Sequence, residues 1–336
     1  MRCLIWLFMG LIVQAGLGGV PVFAQPGARP SPPMQPEVGP GGRDYLYEQM
    51  RVTRYGEGAD GYWVFEPRGA DKTKPLPVLV YLHGLNATPY STVYLWMRHL
   101  VRRGNIVVYP QYQLGLLLNP KVFTKKSAAA IADAIKRLDG KRHFKGDTKR
   151  FAIVGHSLGG LIGANLTARA GHYDLPQALA LMAVQPGDVK TAQGLGALMP
   201  SLAEDHGTIP RDTLMLSIAT ENDHIVGQSF AKRLYHRASR VPAENKDYIL
   251  LKDDSHGWPA LQTDHFMPFA YINRAGRARA DAYDFALWRW FDALMDAAFY
   301  DGKHRDEALG NTAKQRSLGV WSDGRPVREA VVTDEP

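Results

Sequence analysis

Between Leu76 and Phe299 the sequence alternates between short apolar runs and longer segments with a helical period. The run LPVLVYL is continuously apolar, as expected of a strand that is covered on both faces. Strands alternating with helices predict an α/β protein with a doubly wound, mostly parallel sheet of about eight strands covered by helices on both faces. Two earlier runs, QMRVTRY and GYWVFEP, predict an antiparallel pair at a sheet edge, with both strands antiparallel to the rest.

Composition divides the chain into four parts. Residues 1–24 combine Arg2, an apolar stretch and a small-residue site ending at Ala24, which predicts a signal peptide and no stable membrane span after its removal, with an uncleaved anchor as the alternative. Residues 25–43 are rich in Pro and Gly and predict a flexible leader. Residues 44–302 form the predicted folded domain. Residues 303–336 form a polar C-terminal tail, in which Trp321 and Val327 indicate that part of it packs on the domain.

Cysteine usage and charge exclude several classes of protein. Cys3 is the only cysteine and would leave with the signal peptide, so disulfides, thiolate metal sites and cysteine nucleophiles are not expected. The net charge is +7, but the basic stretch 136–150 lacks interleaved aromatic residues and indicates a solvated helix end, not a nucleic-acid site. No metal or cofactor motif is found, so we expect neither. The predicted location is secreted or periplasmic.

The stretch GHSLG places Ser157 between two glycines, at the end of a predicted strand and the start of a predicted helix. A turn this sharp leaves no room for a Cβ atom two positions either side of the serine, which explains Gly155 and Gly159. The helix N-terminus that follows adds a positive dipole near the hydroxyl. This arrangement is typical of a nucleophile elbow.

This motif and the strand–helix order from about Val78 to Tyr300 resemble the lipase and esterase branch of the α/β-hydrolase superfamily. The resemblance implies a catalytic triad of serine, acid and histidine in that chain order. It places the base in the loop after the last predicted strand, where His256 lies in LLKDDSHGWPAL and Gly257 would relieve crowding. His265, nine residues further on, is the alternative. His156 is expected to point away from the serine.

The acid of the triad is predicted to be Asp223 in SIATENDHIVG. The resemblance favours this position, because an apolar residue usually stands three positions after the acid, here Val226. Asp188, after the preceding strand, is the competing candidate. Asp253 and Asp254 are too close to His256 along the loop and are interpreted as surface charges.

The oxyanion hole implied by the resemblance uses the backbone N–H of Leu158, directly after the serine, and that of Leu85 in HGLNAT. Candidate substrate-binding residues are Tyr112 and Leu114 after the fourth strand and Trp258 after the predicted base. The short segment between ALALMAV and TLMLSIAT predicts a short or absent lid and an open cleft.

Together these features predict hydrolysis of a small-molecule, lipid or polymer carboxylic ester through an acyl-enzyme on Ser157. A serine peptidase or an acyltransferase of the same fold could use the same three residues, and these classes remain alternatives. A non-catalytic binding protein on this scaffold is a further alternative, which would be expected to lack one member of the triad.

Overall fold

The computed structural model describes residues 29–113, 120–191, 201–269 and 280–336. The predicted signal peptide and the predicted substrate-binding residue Leu114 lie outside these ranges.

The described strands form one nine-stranded sheet in the order β1-β2-β4-β3-β5-β6-β7-β8-β9. The six strands from β3 to β8 run parallel to one another. This confirms the predicted mostly parallel sheet. The strands are β1 (Met50–Tyr55), β2 (Tyr62–Pro67), β3 (Leu76–Leu82), β4 (Ile106–Pro110), β5 (Gly146–His156), β6 (Ala180–Val184), β7 (Leu214–Thr220), β8 (Lys246–Leu251) and β9 (Val331–Thr333).

The first two strands differ in part from the prediction. β1 pairs antiparallel with β2, and β2 pairs antiparallel with β4. Because each antiparallel pairing reverses the strand direction, β1 runs the same way as the parallel strands and only β2 of this pair runs against them. The predicted edge pair is present, but the predicted direction of β1 is wrong.

Helices cover both faces of the sheet. They are α1 (Tyr94–Arg102), α2 (Phe123–Leu138), α3 (Leu158–Ala168), α4 (Ser229–Arg237) and α5 (Ala282–Phe299), followed by the one-turn helices α6 (Arg305–Ala308) and α7 (Ala313–Arg316). Short 3₁₀ turns occupy Gly58–Asp60, Tyr90–Val93, Pro120–Val122, Ala170–Tyr173, Val189–Thr191, His206–Thr208 and Ala243–Asn245. No helix within the described ranges is long and apolar enough to cross a membrane.

Two apolar cores lie on opposite faces of the sheet. Helices α1 and α5 pack on one face, and α2, α3 and α4 pack on the other. Strand β3 contributes to both cores, since Leu79 points to the first and Val78 and Val80 to the second. A strand covered in this way must be apolar at every position, which accounts for its unbroken apolar run.

The C-terminal segment is part of the packed structure. Strand β9 pairs antiparallel with β8, and the side chains of Trp321 and Val327 are each 1% exposed. The Trp321 indole also donates a hydrogen bond to Asp254 Oδ2 at 3.0 Å. The chain after residue 302, predicted as a polar tail, therefore extends the sheet and the core.

The described part of the predicted leader is also packed. The Gly41 N–H donates to Asp292 Oδ2 on α5 at 2.8 Å, and the Ser322 N–H donates to Ser31 O at 3.0 Å. A segment this rich in Pro and Gly has few apolar side chains to bury, so peptide hydrogen bonds to α5 and to the C-terminal segment hold it instead.

Replacing Trp321 with alanine is expected to lower the free energy of unfolding by about 3–5 kcal/mol, because it removes a large buried side chain. The adjacent Val320 is 55% exposed, and Val320→Ala is expected to change stability by less than about 0.5 kcal/mol. Urea unfolding of the two variants measures both values. Equal midpoints for the two variants would contradict the packing described for this segment.

Candidate active site

Ser157 occupies the turn between β5 and α3 with φ of 55° and ψ of −123°, a conformation that residues other than glycine rarely adopt. A Cβ atom on Gly155 would lie 2.2 Å from Gly159 O, and one on Gly159 would lie 2.1 Å from Leu82 O. Both contacts are with backbone, which cannot move aside cheaply. The two glycines are therefore required for the sharp turn that presents the serine.

Replacing Gly159 with alanine is expected to lower the free energy of unfolding by about 3 kcal/mol, because the new methyl group collides with the backbone of Leu82. Gly171 is a matched control, since a Cβ atom there would have nothing within 4 Å. Gly171→Ala should leave stability almost unchanged. Thermal or urea unfolding makes the comparison, and a Gly159→Ala protein as stable as its control would contradict this account of the elbow.

His265 lies between Ser157 and Asp223 and contacts both. Its Nε2 is 3.0 Å from Ser157 Oγ, and its Nδ1 is 2.7 Å from Asp223 Oδ2. An ionised carboxylate only accepts hydrogen bonds, so Nδ1 carries the imidazole proton. Nε2 is then free to accept the hydrogen bond of the serine hydroxyl.

Asp223 follows β7, and its side chain is completely buried. Its Oδ1 accepts hydrogen bonds from the N–H groups of Ile225 at 2.9 Å and Val226 at 3.0 Å. Burial by itself would raise the pKa of this carboxyl. The hydrogen bonds from His265 and from the two peptide groups outweigh burial, and the pKa lies below its ordinary value. The carboxylate is therefore ionised at neutral pH and holds the imidazole in one tautomer.

The lowered pKa of Asp223 makes part of the stability depend on pH. Because the folded-state pKa is below the unfolded value of about 3.9, this contribution is complete above that pH and is lost as the pH falls through the folded pKa. The excess stability of the wild type over Asp223→Asn should therefore shrink below about pH 4. Urea unfolding of both proteins across the acid range measures the difference, and an excess that grows with acidity would contradict it.

Asp188, the competing acid, belongs to a different set of contacts. Its carboxylate accepts hydrogen bonds from the Leu202 N–H at 3.1 Å and from the Ser201 hydroxyl in the connection after β6. Between the two candidates, the structure brings Asp223 to His265.

His256, the predicted base, is not brought to Ser157. Its Nε2 is 2.7 Å from Asp323 Oδ2, and its Nδ1 accepts a hydrogen bond from Arg325 at 3.0 Å. Both partners belong to the C-terminal segment. The prediction of His256 is corrected to His265, the alternative in the same loop.

The path of the loop after β8 explains this correction. Asp254 and Leu261 exchange two backbone hydrogen bonds of 3.0 and 2.9 Å. These bonds close residues 254–261 into a small loop, and His256 lies in that loop. A Cβ atom on Gly257 would lie 2.2 Å from Pro30 O and 2.3 Å from the Trp321 ring. Gly257 therefore permits close packing of the C-terminal segment and does not relieve crowding at the base.

Asp253 and Asp254, interpreted from the sequence as surface charges, hold this loop. Asp253 Oδ1 accepts from the Thr263 N–H at 2.7 Å, and Asp254 Oδ1 accepts from the His256 N–H at 2.9 Å. No local pattern in the sequence indicates that residue 254 pairs with residue 261. The positions of the two histidines depend on that pairing.

The two predicted oxyanion donors lie beside the serine. Leu158 is the first residue of α3, and Leu85 follows Gly84, where a Cβ atom would be 3.2 Å from Ser157 Cβ. Within the described part of the chain, no hydrogen bond uses the N–H of Leu85 or Leu158. Both N–H groups are therefore available to a ligand at the serine.

An amide pair fixes the loop that carries Leu85. Asn86 has a φ of 62°, its N–H donates to Gln113 Oε1 at 3.1 Å, and its Oδ1 accepts from Gln113 Nε2 at 2.7 Å. The Gln113 side chain is buried. This pairing gives Asn86 a role in shaping the loop.

Two of the predicted substrate-binding residues, Tyr112 and Trp258, lie within the described ranges. Tyr112 is fully buried, donates its hydroxyl to His83 O and stacks on the His83 ring at 4.1 Å, so its prediction as a substrate contact is wrong. Trp258 is 67% exposed, and its N–H donates to Pro30 O, which places it beside the leader and the C-terminal segment.

Three other apolar side chains are exposed next to residues of the site. Leu85 carries a predicted oxyanion donor, the Ile225 N–H donates to Asp223, and Phe266 follows His265; the three residues are 36%, 42% and 52% exposed, respectively. Each of the three lies in or next to a segment that carries a predicted site residue, and this adjacency in the sequence could have indicated them. In the described ranges, no group of three or more His, Cys, Asp or Glu side chains is arranged to hold a metal ion.

Comparison with known proteins agrees with this architecture. Residues 63–201 match the family model of chlorophyllase, a family of the α/β-hydrolase superfamily. The match includes the Leu85 loop and the Ser157 elbow and ends before Asp223 and His265. No curated protein is significantly similar to the chain. The chain thus has the α/β-hydrolase fold, and its similarity to chlorophyllase supports a hydrolase activity of the esterase type.

Proposed function

We propose that this protein hydrolyses carboxylic esters through an acyl-enzyme on Ser157, with His265 as the general base and Asp223 as the acid that orients it. The observation that carries the proposal is the position of His265, whose Nε2 is 3.0 Å from the serine hydroxyl and whose Nδ1 is 2.7 Å from the buried carboxylate. A serine hydroxyl is a weak nucleophile at neutral pH and needs a base at this distance.

In the acylation step, Ser157 Oγ attacks the ester carbonyl carbon while its proton passes to His265 Nε2. The carbonyl oxygen becomes an oxyanion and accepts hydrogen bonds from the N–H groups of Leu85 and Leu158. Each such donor typically lowers the barrier by about 3 kcal/mol. The imidazolium next to ionised Asp223 then protonates the leaving alcohol, and the acyl group stays on the serine.

In the deacylation step, water takes the place of the alcohol. His265 Nε2 accepts a proton from the water as its oxygen attacks the acyl carbonyl, and the same two N–H groups stabilise the second oxyanion. Return of the proton to Ser157 Oγ releases the carboxylic acid. Asp223 remains ionised throughout and stabilises the transient imidazolium.

The exposed apolar side chains around the site favour an ester with a large apolar part. Leu85, Ile225 and Phe266 each lie in a segment that carries a residue of the proposed site, and contact with apolar substrate would remove their surface from water. The similarity to chlorophyllase, named for its action on chlorophyll, supports the same preference. An open cleft with a short or absent lid, predicted from the short segment between β6 and β7, is also part of this proposal. Residues 192–200 of that segment lie outside the described ranges.

Export to the periplasm or the medium is also part of the proposal. It rests on the signal-like residues 1–24, and a chain without cysteine after Cys3 is compatible with an oxidising compartment. Amino-terminal sequencing of the protein recovered outside the cytoplasm should begin at Gln25. Retention of the full chain, beginning at residue 1, in the cytoplasmic fraction would contradict export.

Hydrolysis of p-nitrophenyl esters from acetyl to palmitoyl tests the proposed function. We expect turnover of esters and a preference that rises with the apolar character of the acyl group. Parallel assays with p-nitroanilide amides and with an added alcohol acceptor distinguish a peptidase and an acyltransferase from an esterase. Folded protein that cleaves only the amides, or only transfers acyl groups to the alcohol, would overturn the proposal.

A further inference from the structure

We propose that His156 and Gln185 are positioning residues that set the orientation of His265 by holding the two peptide carbonyls on either side of its backbone. This inference rests on the proposed function, in which His265 must stay aligned with Ser157. Neither residue touches the serine hydroxyl, and both act through the backbone of the base.

His156 holds the carbonyl group of His265 itself. It is the last residue of β5 and is 2% exposed, and its Nε2 lies 2.9 Å from His265 O. A carbonyl oxygen only accepts, so His156 Nε2 carries a proton and donates it. The two imidazole rings also pack together, with centroids 4.8 Å apart. His156, expected from the sequence to point away from the serine, thus lies against the base.

The surroundings of His156 keep it uncharged. Burial and the nearby charge of protonated His265 lower the pKa of His156 to about 3. A neutral ring can donate from Nε2 without placing a second positive charge beside the imidazolium that forms during catalysis. His156 can therefore remain a fixed donor whether His265 is neutral or protonated.

Gln185 holds the carbonyl group of Asp264, the residue before His265. It follows β6 directly, is completely buried and has a φ of 46°. Its N–H donates to Ile218 O at 2.7 Å, and its Nε2 donates to Thr220 Oγ1 at 2.7 Å and to Asp264 O at 2.9 Å. The contacts to β7 thus fix the side-chain amide that donates to Asp264 O.

These contacts tie a loop residue to the central strands of the sheet. His265 lies in a long connection between β8 and α5, whereas His156 and Gln185 belong to the ends of two central parallel strands. His156 is also the residue before Ser157, so one strand end positions the nucleophile and the backbone of its base. A displacement of about 1 Å between such groups can reduce turnover by about 100-fold.

Three variants and a control test the proposal. His156→Leu removes the donor, whereas His156→Gln offers an amide N–H near the original Nε2. Gln185→Met removes the second donor with little change of shape. Thr213→Val is the control, because its buried hydroxyl donates to Ala178 O at 2.9 Å at the opposite end of the sheet. It loses a comparable side-chain hydrogen bond without touching the loop of the base.

The readouts are kcat and KM for a p-nitrophenyl ester, the midpoint of thermal unfolding, and the downfield NMR signal of the His265 Nδ1 proton bound to Asp223. We expect His156→Leu and Gln185→Met to lower kcat by about 10- to 100-fold with KM nearly unchanged, and to broaden or shift the NMR signal. His156→Gln should recover most of the lost kcat and most of the wild-type NMR signal. Thr213→Val should lower the unfolding midpoint but leave kcat and the signal unchanged.

The proposal is overturned if His156→Leu and Gln185→Met lose no more kcat than Thr213→Val, or if the NMR signal is the same in all proteins. Lack of recovery in His156→Gln with the signal intact would also overturn it. Failure of the proposed function has a different signature, namely wild-type protein that hydrolyses no ester. In that case the NMR signal alone decides whether the two side chains orient His265.

Discussion

Ser157→Ala is expected to reduce kcat for ester hydrolysis by about 10⁶-fold, the loss typical when the nucleophile of such a triad is removed. Without Oγ no acyl-enzyme can form, and only binding and the oxyanion donors remain to accelerate attack by water. Alanine fits the same backbone conformation, since Ser157 already carries a Cβ atom there. We therefore expect the fold and the unfolding midpoint to be retained.

A matched control for this variant is Ser239→Ala, an exposed serine beyond the end of α4. It should retain wild-type kcat and KM. Steady-state kinetics with circular dichroism on all three proteins makes the comparison. Substantial turnover in folded Ser157→Ala would remove the serine from the proposed mechanism.

His265→Gln is expected to lower kcat by a similar factor of about 10⁶, because glutamine cannot take the serine proton. His256→Gln is the decisive companion, since His256 lies in the same loop but pairs with Asp323 and Arg325. That pair is partly exposed, so its loss should change stability by at most about 1 kcal/mol and leave kcat intact.

The two histidine variants also decide between the prediction from the sequence and the structure. Each is assayed for kcat at several pH values, so that a shifted pH optimum is not mistaken for a lost base. A large loss in His256→Gln together with near-normal turnover in His265→Gln would contradict the assignment. Loss in both would show that the C-terminal segment also orients the base.

Much of the fold could be predicted because the burial of each strand and helix determines the pattern of apolar residues within that element. A strand such as β3 must be apolar at every position when both faces are covered, and α1 must repeat its apolar residues every three or four positions. The elbow at Ser157 was also predictable, because its pattern of a serine between two glycines stands at the junction of a strand and a helix, although only the Gly155 clash is local and Gly159 avoids Leu82 on β3.

The parts that could not be predicted depend on pairing between distant residues. Strand β9 is only three residues long and is a strand because β8 offers it an edge. His265 and not His256 contacts Ser157, because Asp254 pairs with Leu261 and turns His256 towards the C-terminal segment. Neither pairing leaves a pattern in the residues concerned, so the sequence favoured His256, which lies in the loop after the last predicted strand and is followed by a glycine.

The most direct test of the account is covalent labelling with an alkyl fluorophosphonate, which requires a serine activated by a base in hydrogen-bond contact. We predict one label per chain, on the peptide containing Ser157, attached at a similar rate in wild type and His256→Gln and very slowly in His265→Gln. A label on another residue, or slow labelling in His256→Gln with rapid labelling in His265→Gln, would contradict the proposed site.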